Sequence, residues 1–216
     1  MPWFSKQSPA LAYDNLHSDH IVIAEDVSQH GHKRYGVFPL TEVDNFTGPH
    51  NELIRTHCPC RLYFDLDGRQ PVSPGAVPTF IAAVLSLAGL SLKNTPVIVL
   101  DSSTATKFSK HLVFPEIVFK DNWTHMRNWV LSQNLPHASL IDRGVYTRNR
   151  CFRMAGCCKF GDASRPFLPG PPSSALVQCA STNCSTNIQV RECGSEPRSL
   201  LPTFGRQVDG DAVYPR

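Results

Sequence analysis

Two aspartates, Asp65 and Asp67, end the apolar and aromatic stretch CRLYFDLDG of residues 60–68. Side chains two residues apart on a strand point to the same face, about 6.5 Å apart. Two carboxylates held in this way repel each other, and a divalent cation that prefers oxygen ligands, such as Mg²⁺ or Mn²⁺, relieves the repulsion. A turn at the end of a strand explains the same pattern, so the pair alone leaves both readings open.

A second group of polar side chains alternates along KFSKHLVF, residues 107–114. On a strand, Lys107, Ser109 and His111 share one face, opposite Phe108 and Leu112. A cation, a hydroxyl and an imidazole at steps of about 6–7 Å can follow the phosphates of a nucleotide. A half-buried strand with a polar solvent face is the alternative explanation.

A third group lies in IDRGVYTRNRCFRMAGCCKFG, residues 141–161. Asp142 follows an apolar pair and can supply a third carboxylate to a metal site. Arg150, Arg153 and Lys159 are candidates for phosphate or template contacts, since the arginine fork matches phosphate oxygens. Because Arg150 and Arg153 have opposite parity on a strand, we expect both to reach one ligand only if the strand contains a bulge.

The elements that must position these residues are short strands and helices in irregular alternation. The patterns predict strands at 60–67, 95–103 and 107–115, the last of them ended by Pro115, and helices at 77–90 and 121–134. Such an arrangement favours an α+β fold over a regular doubly wound sheet. An apolar stripe on the second helix, which includes Trp123, is predicted to face the core.

Composition narrows the classes of protein that need to be considered. The 216 residues are 41% hydrophobic with a net charge of +3, which allows one core or two small modules. The longest apolar run, residues 80–90, is too short to span a membrane, and the chain opens without the apolar region of a secretion signal. We therefore expect an intracellular protein with free thiols and no membrane partner.

The order of the three groups resembles the archaeo-eukaryotic primase superfamily. The resemblance is closest to the eukaryotic primase-polymerase (PrimPol) branch, with the herpesvirus-type primases as relatives. LYFDLD resembles the first family motif, SSTATKFSKHLVF the second and DRGVYTRNRCFRMAGCCKFG the third. The resemblance covers residues 34–161, approximately, and its second and third motifs are long and specific.

The resemblance implies an architecture. In such enzymes an RRM-like antiparallel sheet with helices carries the first and third motifs, a smaller α/β module carries the second, and the active cleft lies between them. We therefore expect a catalytic core of two interleaved modules in residues 1–165. The composition then changes to Pro, Ser and Cys, which predicts a partly irregular tail in residues 166–216.

The resemblance also implies an activity: templated nucleotidyl transfer by a DNA primase and DNA-directed polymerase that makes and extends primers on single-stranded DNA from dNTPs or NTPs. Two Mg²⁺ or Mn²⁺ ions would be held by the catalytic carboxylates Asp65, Asp67 and Asp142. The nucleotide would be bound by Lys107, Ser109, His111, Arg150 and Lys159. Nucleic acid would contact Arg34, Arg148 and Arg153. A nuclear or mitochondrial location follows if the source is eukaryotic.

Some features depart from the family pattern. The acid pair is Asp-x-Asp where animal members often have Asp-x-Glu. The three thiols of Cys179, Cys184 and Cys193 lack a fourth ligand nearby, and no histidine follows His137, so a zinc site is not expected.

Two alternatives stay open at this point. One is a catalytically degenerate primase relative that only binds nucleic acid, and the other is a metal-dependent glycosyltransferase with an Asp-x-Asp motif.

Overall fold

The computed structural model describes residues 1–14, 20–56, 58–93 and 95–169, which form two antiparallel sheets and three α-helices. The strands are β1 (Trp3–Phe4), β2 (His20–Asp26), β3 (Lys33–Pro39), β4 (His50–Ile54), β5 (Cys60–Arg69), β6 (Ile98–Asp101), β7 (Lys107–Phe119), β8 (Arg150–Arg153) and β9 (Leu168–Pro169). The helices are α1 (Gln7–Asp14), α2 (Ala76–Leu87) and α3 (Arg127–Ser132), and a π-helical turn (Asn122–Met126) precedes α3. Among these residues, no helix is long and apolar enough to cross a membrane.

The first sheet has five strands in the order β1-β3-β2-β4-β8. Its strands alternate apolar side chains between two faces, as expected for a sheet buried on both sides. Residues of α1 cover one face, where the buried side chains are Ala10, Val22, Val37 and Leu53. The other face packs against the segment that follows β8, through Ile21, Ile23, Phe38, Val43, Met154 and Cys157. Because β8 is the last strand in this order, it is an edge strand and pairs with β4 on one side only.

The second sheet has four strands in the order β5-β7-β6-β9. The apolar face of β5 packs on α2, where Phe64 meets Phe80 edge to face at 4.8 Å between ring centroids. Gly89, with a φ of 66°, adopts the left-handed conformation just after α2. The helix therefore ends at Leu87, three residues before the end predicted at residue 90. The cluster built around α2, β5, β6 and β7 is the largest hydrophobic core among the described residues.

The α+β class predicted from the sequence is confirmed, but one detail drawn from the family resemblance is wrong. The second motif does not lie in a module apart from the first, because β5 and β7 pair along ten residues of β5. Both strands bury apolar side chains in the same core. The third motif, which contains β8, belongs to the other sheet. The cleft between the two sheets therefore brings the third motif against the first two.

Pro115 does not end its strand, contrary to the sequence prediction. The register shifts there, since Arg61 pairs with Val118 and Leu62 with Phe114. Residues 115–117 thus have no partner on β5 and form a bulge. Proline removes a backbone donor, which is tolerated at a bulge because no ladder hydrogen bond is required there. As a result β7 continues to Phe119.

Free thiols are found at every cysteine in the part of the chain that the structure describes. These are Cys58, Cys60, Cys151, Cys157 and Cys158. Burial is the main cause that raises the pKa of Cys157 to about 12, so this group is a protonated thiol at neutral pH. Such buried thiols are packing groups rather than nucleophiles.

Asp121 caps the helical segment predicted at 121–134. Its carboxylate accepts hydrogen bonds from the backbone N–H groups of Thr124 at 2.5 Å and His125 at 3.2 Å. The His125 Nδ1 atom lies 2.9 Å from the other carboxylate oxygen. Burial alone would raise the pKa of Asp121, but these groups outweigh it and lower the pKa below its ordinary value.

We expect Asp121→Ala to lower the free energy of unfolding by about 0.5–2 kcal/mol at pH 7. A carboxyl group whose pKa is depressed by folding stabilises the protein above its unfolded pKa. That contribution is lost as the pH falls through the folded pKa. The difference between the variant and the wild type should therefore shrink below about pH 4. Urea unfolding at pH 7 and pH 3 measures it.

Asp121→Asn is the matched control, since asparagine keeps a capping oxygen. It should lose less stability than Asp121→Ala at pH 7. Equal losses for the two variants, or a loss for Asp121→Ala that is the same at both pH values, would contradict this account of the cap.

Candidate active site

The polar rows of the first and second motifs lie directly opposite each other. In the antiparallel pairing of β5 and β7, Asp65 is opposite His111 and Asp67 is opposite Ser109. Directly paired residues of antiparallel strands project to the same face. The alternation predicted from the sequence is therefore confirmed for both strands, and the pairing joins the two rows into one surface.

Each carboxylate of β5 faces a basic group of β7. The Asp65 Oδ2 atom is 3.7 Å from His111 Nε2, and the Asp67 Oδ2 atom is 2.9 Å from Lys107 Nζ. The exposed fraction of the side chain rises from 21% at Asp65 to 41% at Asp67, so this row runs outward from the core. Ser109, between the two basic groups, is buried.

The charge on Asp65 is stabilised by its surroundings. Burial would raise the pKa of this carboxyl group. Hydrogen bonding and charge from His111, with the charges of Lys107 and Arg150, outweigh burial and lower the pKa below its ordinary value. Asp65 is therefore ionised at neutral pH, as a ligand for a cation must be.

Asp142, the predicted third carboxylate, lies beside Asp65 because the backbones of the two residues are hydrogen-bonded. The Asp142 N–H group donates to the Asp65 carbonyl oxygen at 2.9 Å, and Ile141 forms an isolated bridge with Leu66. The Asp142 Oδ1 atom accepts from the Gly144 N–H group at 2.8 Å and so caps the 3₁₀ turn Arg143–Val145. The structure thus brings the beginning of the third motif to the end of the first.

Two buried tyrosines fasten this contact. The Tyr63 hydroxyl donates to the Val145 carbonyl oxygen at 2.8 Å, and the Tyr146 hydroxyl donates to the Tyr63 carbonyl oxygen at 2.9 Å. Both side chains are fully buried. Burial raises the pKa of both hydroxyls, so both remain protonated donors. These reciprocal bonds fix the position of the Asp142 loop relative to β5.

We expect Tyr146→Phe to lower the free energy of unfolding by about 1–3 kcal/mol, because the substitution removes a buried donor and leaves its acceptor without that bond. Chemical denaturation measures the change. Tyr35→Phe, on β3 of the other sheet, is the control and should change the free energy of unfolding by less than about 0.5 kcal/mol. Equal effects of the two substitutions would contradict the role of the Tyr63–Tyr146 pair.

His111 is held between two aromatic rings. Its ring centroid lies 4.1 Å from that of Phe152 and 3.8 Å from that of Phe167, with an interplanar angle of 23° in each case. Phe167 is buried, although composition alone places it in the predicted tail. Stacking on both faces fixes the plane of the imidazole, so that Nε2 points at Asp65.

Two arginines of β8 reach the cleft between the sheets. Arg150 and Arg153 line it together with Asp65 and His111. The Nε atoms of both arginines are buried and have no hydrogen-bond partner among the described residues. Unsatisfied buried donors of this kind are free to bind an anion.

The bulge expected between Arg150 and Arg153 is absent from β8. Arg150 pairs with Ile54 and Arg153 with Asn51, and the residues between them pair in regular register. Both arginines still line one cleft. We attribute this to the position of β8, because side chains of either parity can lean over the edge of a terminal strand.

Lys159 also interacts electrostatically with the charged groups of the site. Burial is the main cause that lowers its pKa, and the positive charges of Lys107 and Arg153 lower it further, while the Asp67 carboxylate opposes the shift. Lys159 is exposed and is not among the residues that line the cleft, but it lies within electrostatic range of these groups. The structure thus brings together basic residues from the second and third motifs.

The remaining predicted contacts lie elsewhere. Arg34, on β3, donates to Glu25 at 2.5 Å and lies over the ring of Trp3, and it is not among the residues that line the cleft. Arg148 is exposed and lies over the ring of Trp123. The candidate zinc ligands Cys179, Cys184 and Cys193 fall outside the described residues.

The carboxylates fit divalent metal ions in their chemistry but are not gathered around one point. The Asp67 Oδ1 atom is shielded from solvent and has no hydrogen-bond partner in the described part of the chain, so it can take a ligand. Within that part, no three acidic, histidine or cysteine side chains are close enough to hold a metal as they stand. Metal binding would therefore require side chains such as Asp67 to turn from their present partners.

Comparison with known proteins finds similarity to primases. Over 101 residues the chain is 38% identical to the DNA-directed primase/polymerase protein of Homo sapiens. The aligned residues make up 42% of this chain and 18% of the human protein. It is 31% identical over 163 residues to the protein of that name from Gallus gallus, covering 66% of this chain and 28% of that protein.

A viral protein is similar as well. The putative primase of Ostreid herpesvirus 1 is 29% identical over 191 residues, which cover 65% of this chain and 16% of the viral protein. No protein-family model matches the chain. The chain spans less than a third of the length of each of these three relatives.

These similarities confirm the resemblance on which the sequence analysis rests. They extend to two animal proteins that share one name and to a viral protein named as a putative primase. The chain is a relative of the DNA-directed primase/polymerase proteins and of the herpesvirus putative primase.

Proposed function

We propose that this chain carries out templated nucleotidyl transfer, and that it makes and extends primers on single-stranded DNA. The observation that carries the proposal is the cleft between the sheets. It places the carboxylate of Asp65 against His111, Arg150 and Arg153. An acidic end for metal ions next to a basic end for a triphosphate is the arrangement that nucleotide transfer needs. The names of the relatives support the same activity.

The carboxylates supply the acidic end. Asp65, Asp67 and Asp142 would hold two Mg²⁺ or Mn²⁺ ions. When bound, such ions favour ionisation of the attacking 3′-hydroxyl and neutralise charge on the triphosphate. The chain prepares Asp65 for this task by lowering its pKa. The Tyr63–Tyr146 bonds hold the Asp142 loop beside it.

The basic residues supply the triphosphate end. The buried Nε atoms of Arg150 and Arg153 would donate to phosphate oxygens, and Ser109 and Lys159 would add a hydroxyl and an ammonium group. Charges fixed in a partly desolvated cleft stabilise the growing charge on the leaving pyrophosphate more than charges in water do. The chain thus contributes position and electrostatics rather than a covalent intermediate.

Lys107 would change partners during binding. Its ammonium group now pairs with Asp67, at the outer end of the carboxylate row. A triphosphate carries more negative charge than one carboxylate and so competes for Lys107. Its arrival would release Asp67 for a metal ion. His111, held by Phe152 and Phe167, would keep Asp65 in place throughout.

The test is an incubation of the protein with single-stranded DNA, labelled nucleotides and Mn²⁺ or Mg²⁺. Labelled oligonucleotides on a denaturing gel are the expected product, from dNTPs, NTPs or both. Retarded DNA without labelled product would contradict the proposal and support the alternative of a degenerate relative that only binds nucleic acid. If the protein neither binds DNA nor forms product, both the proposed activity and the binding-only alternative are excluded. Transfer of sugar from a labelled nucleotide-sugar would support the glycosyltransferase alternative instead.

A further inference from the structure

One aromatic side chain outside the cleft is flanked by two arginines. Trp123 lies in the π-helical turn before α3 and is partly exposed. The guanidinium carbon of Arg127 and that of Arg148 each lie 5.4 Å from the centroid of the Trp123 ring. Both distances are within the range of a cation–π contact. The sequence pattern predicts Trp123 in the core, and the structure corrects this prediction, since the side chain is only partly buried.

In the part of the chain that the structure describes, no ion pair neutralises the positive charge of this cluster. Arg127 and Arg148 are exposed, and within the described residues neither forms a salt bridge with an acidic side chain. The nearest acid in sequence, Asp121, is engaged by Thr124 and His125. Two like charges near one ring repel each other, and an anionic ligand between them removes that repulsion.

The cluster is attached to the third motif. The Asn122 amide, next to Trp123, donates to the Thr147 carbonyl oxygen at 3.0 Å and to the Tyr63 hydroxyl at 3.4 Å. Asn122 is fully buried, so the turn that presents Trp123 is anchored to the loop before β8. Arg148 is two residues from Arg150, which lines the cleft. A chain-like ligand in contact with Trp123 can therefore continue towards the site.

We propose that Trp123, Arg127 and Arg148 form a binding surface for single-stranded DNA, which guides the template strand to the cleft. This inference rests on the proposed function. An unpaired base can stack on the indole in place of one of the guanidinium groups that now lie over the ring. The two arginines then bind the phosphates on either side of that base. Duplex DNA presents phosphates but conceals the faces of its bases. A mononucleotide has no neighbouring phosphates for both arginines to bind.

The experiment measures the binding of fluorescein-labelled oligothymidine to the full chain by fluorescence anisotropy. Trp123→Ala is expected to weaken binding by about tenfold, which corresponds to the loss of one stacked base. Trp123→Phe should retain most of the affinity, because phenylalanine still stacks. Arg127→Ala combined with Arg148→Ala should weaken binding and reduce the slope of log K against log salt by about 1.4. Lys93→Ala, at an exposed lysine of the α2–β6 loop, is the control.

The outcomes separate this surface from the proposed function. Unchanged affinity in both Trp123→Ala and the double arginine variant overturns the surface, even if the wild type incorporates nucleotides. Weakened binding in these variants supports it, even if the wild type incorporates none. Equal weakening by Trp123→Phe and Trp123→Ala, or by Lys93→Ala and the double variant, also overturns it. So does a wild type that does not bind oligothymidine.

Discussion

Asp65→Ala is expected to lower the rate of nucleotide incorporation by about a thousandfold. Removing a single group that stabilises transition-state charge typically lowers rates by a hundred- to a thousandfold. Asp65 is placed at the centre of the site, since its carboxylate faces His111 and its backbone carbonyl accepts from Asp142. The change would remove a proposed metal ligand and also the carboxylate that faces His111.

The fold should survive this substitution, because Asp65 lies at the end of the buried part of β5 and its side chain is 21% exposed. Circular dichroism and the midpoint of urea unfolding check that point. Asp44→Ala removes an exposed carboxylate in the 3₁₀ turn Leu40–Asn45, which follows β3, and should leave the rate unchanged. A folded Asp65→Ala variant with the activity of the wild type would contradict the metal assignment.

Arg150→Ala is expected to raise the dissociation constant for a deoxynucleoside triphosphate by about 10- to 100-fold. A charge-assisted hydrogen bond contributes about 1.5–3 kcal/mol, and each 1.4 kcal/mol corresponds to a factor of ten. Arg150 has a buried Nε atom without a partner among the described residues and lines the cleft beside Asp65. Its removal therefore takes away an N–H donor for which the described residues provide no acceptor.

Two further variants make the measurement specific. Arg150→Lys keeps the charge but loses the planar fork, so it should restore only part of the affinity. Arg34→Ala removes an arginine that is engaged by Glu25 and Trp3 away from the cleft, and it should leave nucleotide affinity unchanged. Binding is measured by isothermal titration without template. If Arg150→Ala binds nucleotide as tightly as the wild type, the proposed triphosphate end is wrong.

Local patterns were sufficient to predict the two polar rows. Period-two alternation assigns Asp65 and Asp67 to one face of their strand, and Ser109 and His111 to one face of theirs. The structure confirms both assignments. Alternation says nothing about register, however. That Asp65 lies opposite His111 depends on the packing of both strands against α2 and on the bulge at residues 115–117, neither of which is a local property.

Other features depend on tertiary contacts that one sequence does not reveal. Phe167 is a single aromatic residue in a stretch rich in Pro and Ser. Its stacking on His111 is a contact between distant parts of the chain, which the local pattern does not indicate. The opposite parity of Arg150 and Arg153 argues against a shared ligand if β8 lies inside a sheet. The sequence does not reveal that β8 is the terminal strand of its sheet. Helix α1 is short and contains Pro9, so its residues carry little helical signal.

The measurement that tests the central claim most directly is the extension of an annealed primer by one nucleotide, opposite each of the four template bases in turn. With Mn²⁺ or Mg²⁺, the wild type should add the complementary nucleotide. Chelation of the metal and the Asp65→Ala substitution should each abolish the addition. Wild-type protein that adds no nucleotide with either metal, or addition that ignores the template base and persists in Asp65→Ala, would contradict templated nucleotidyl transfer at this site.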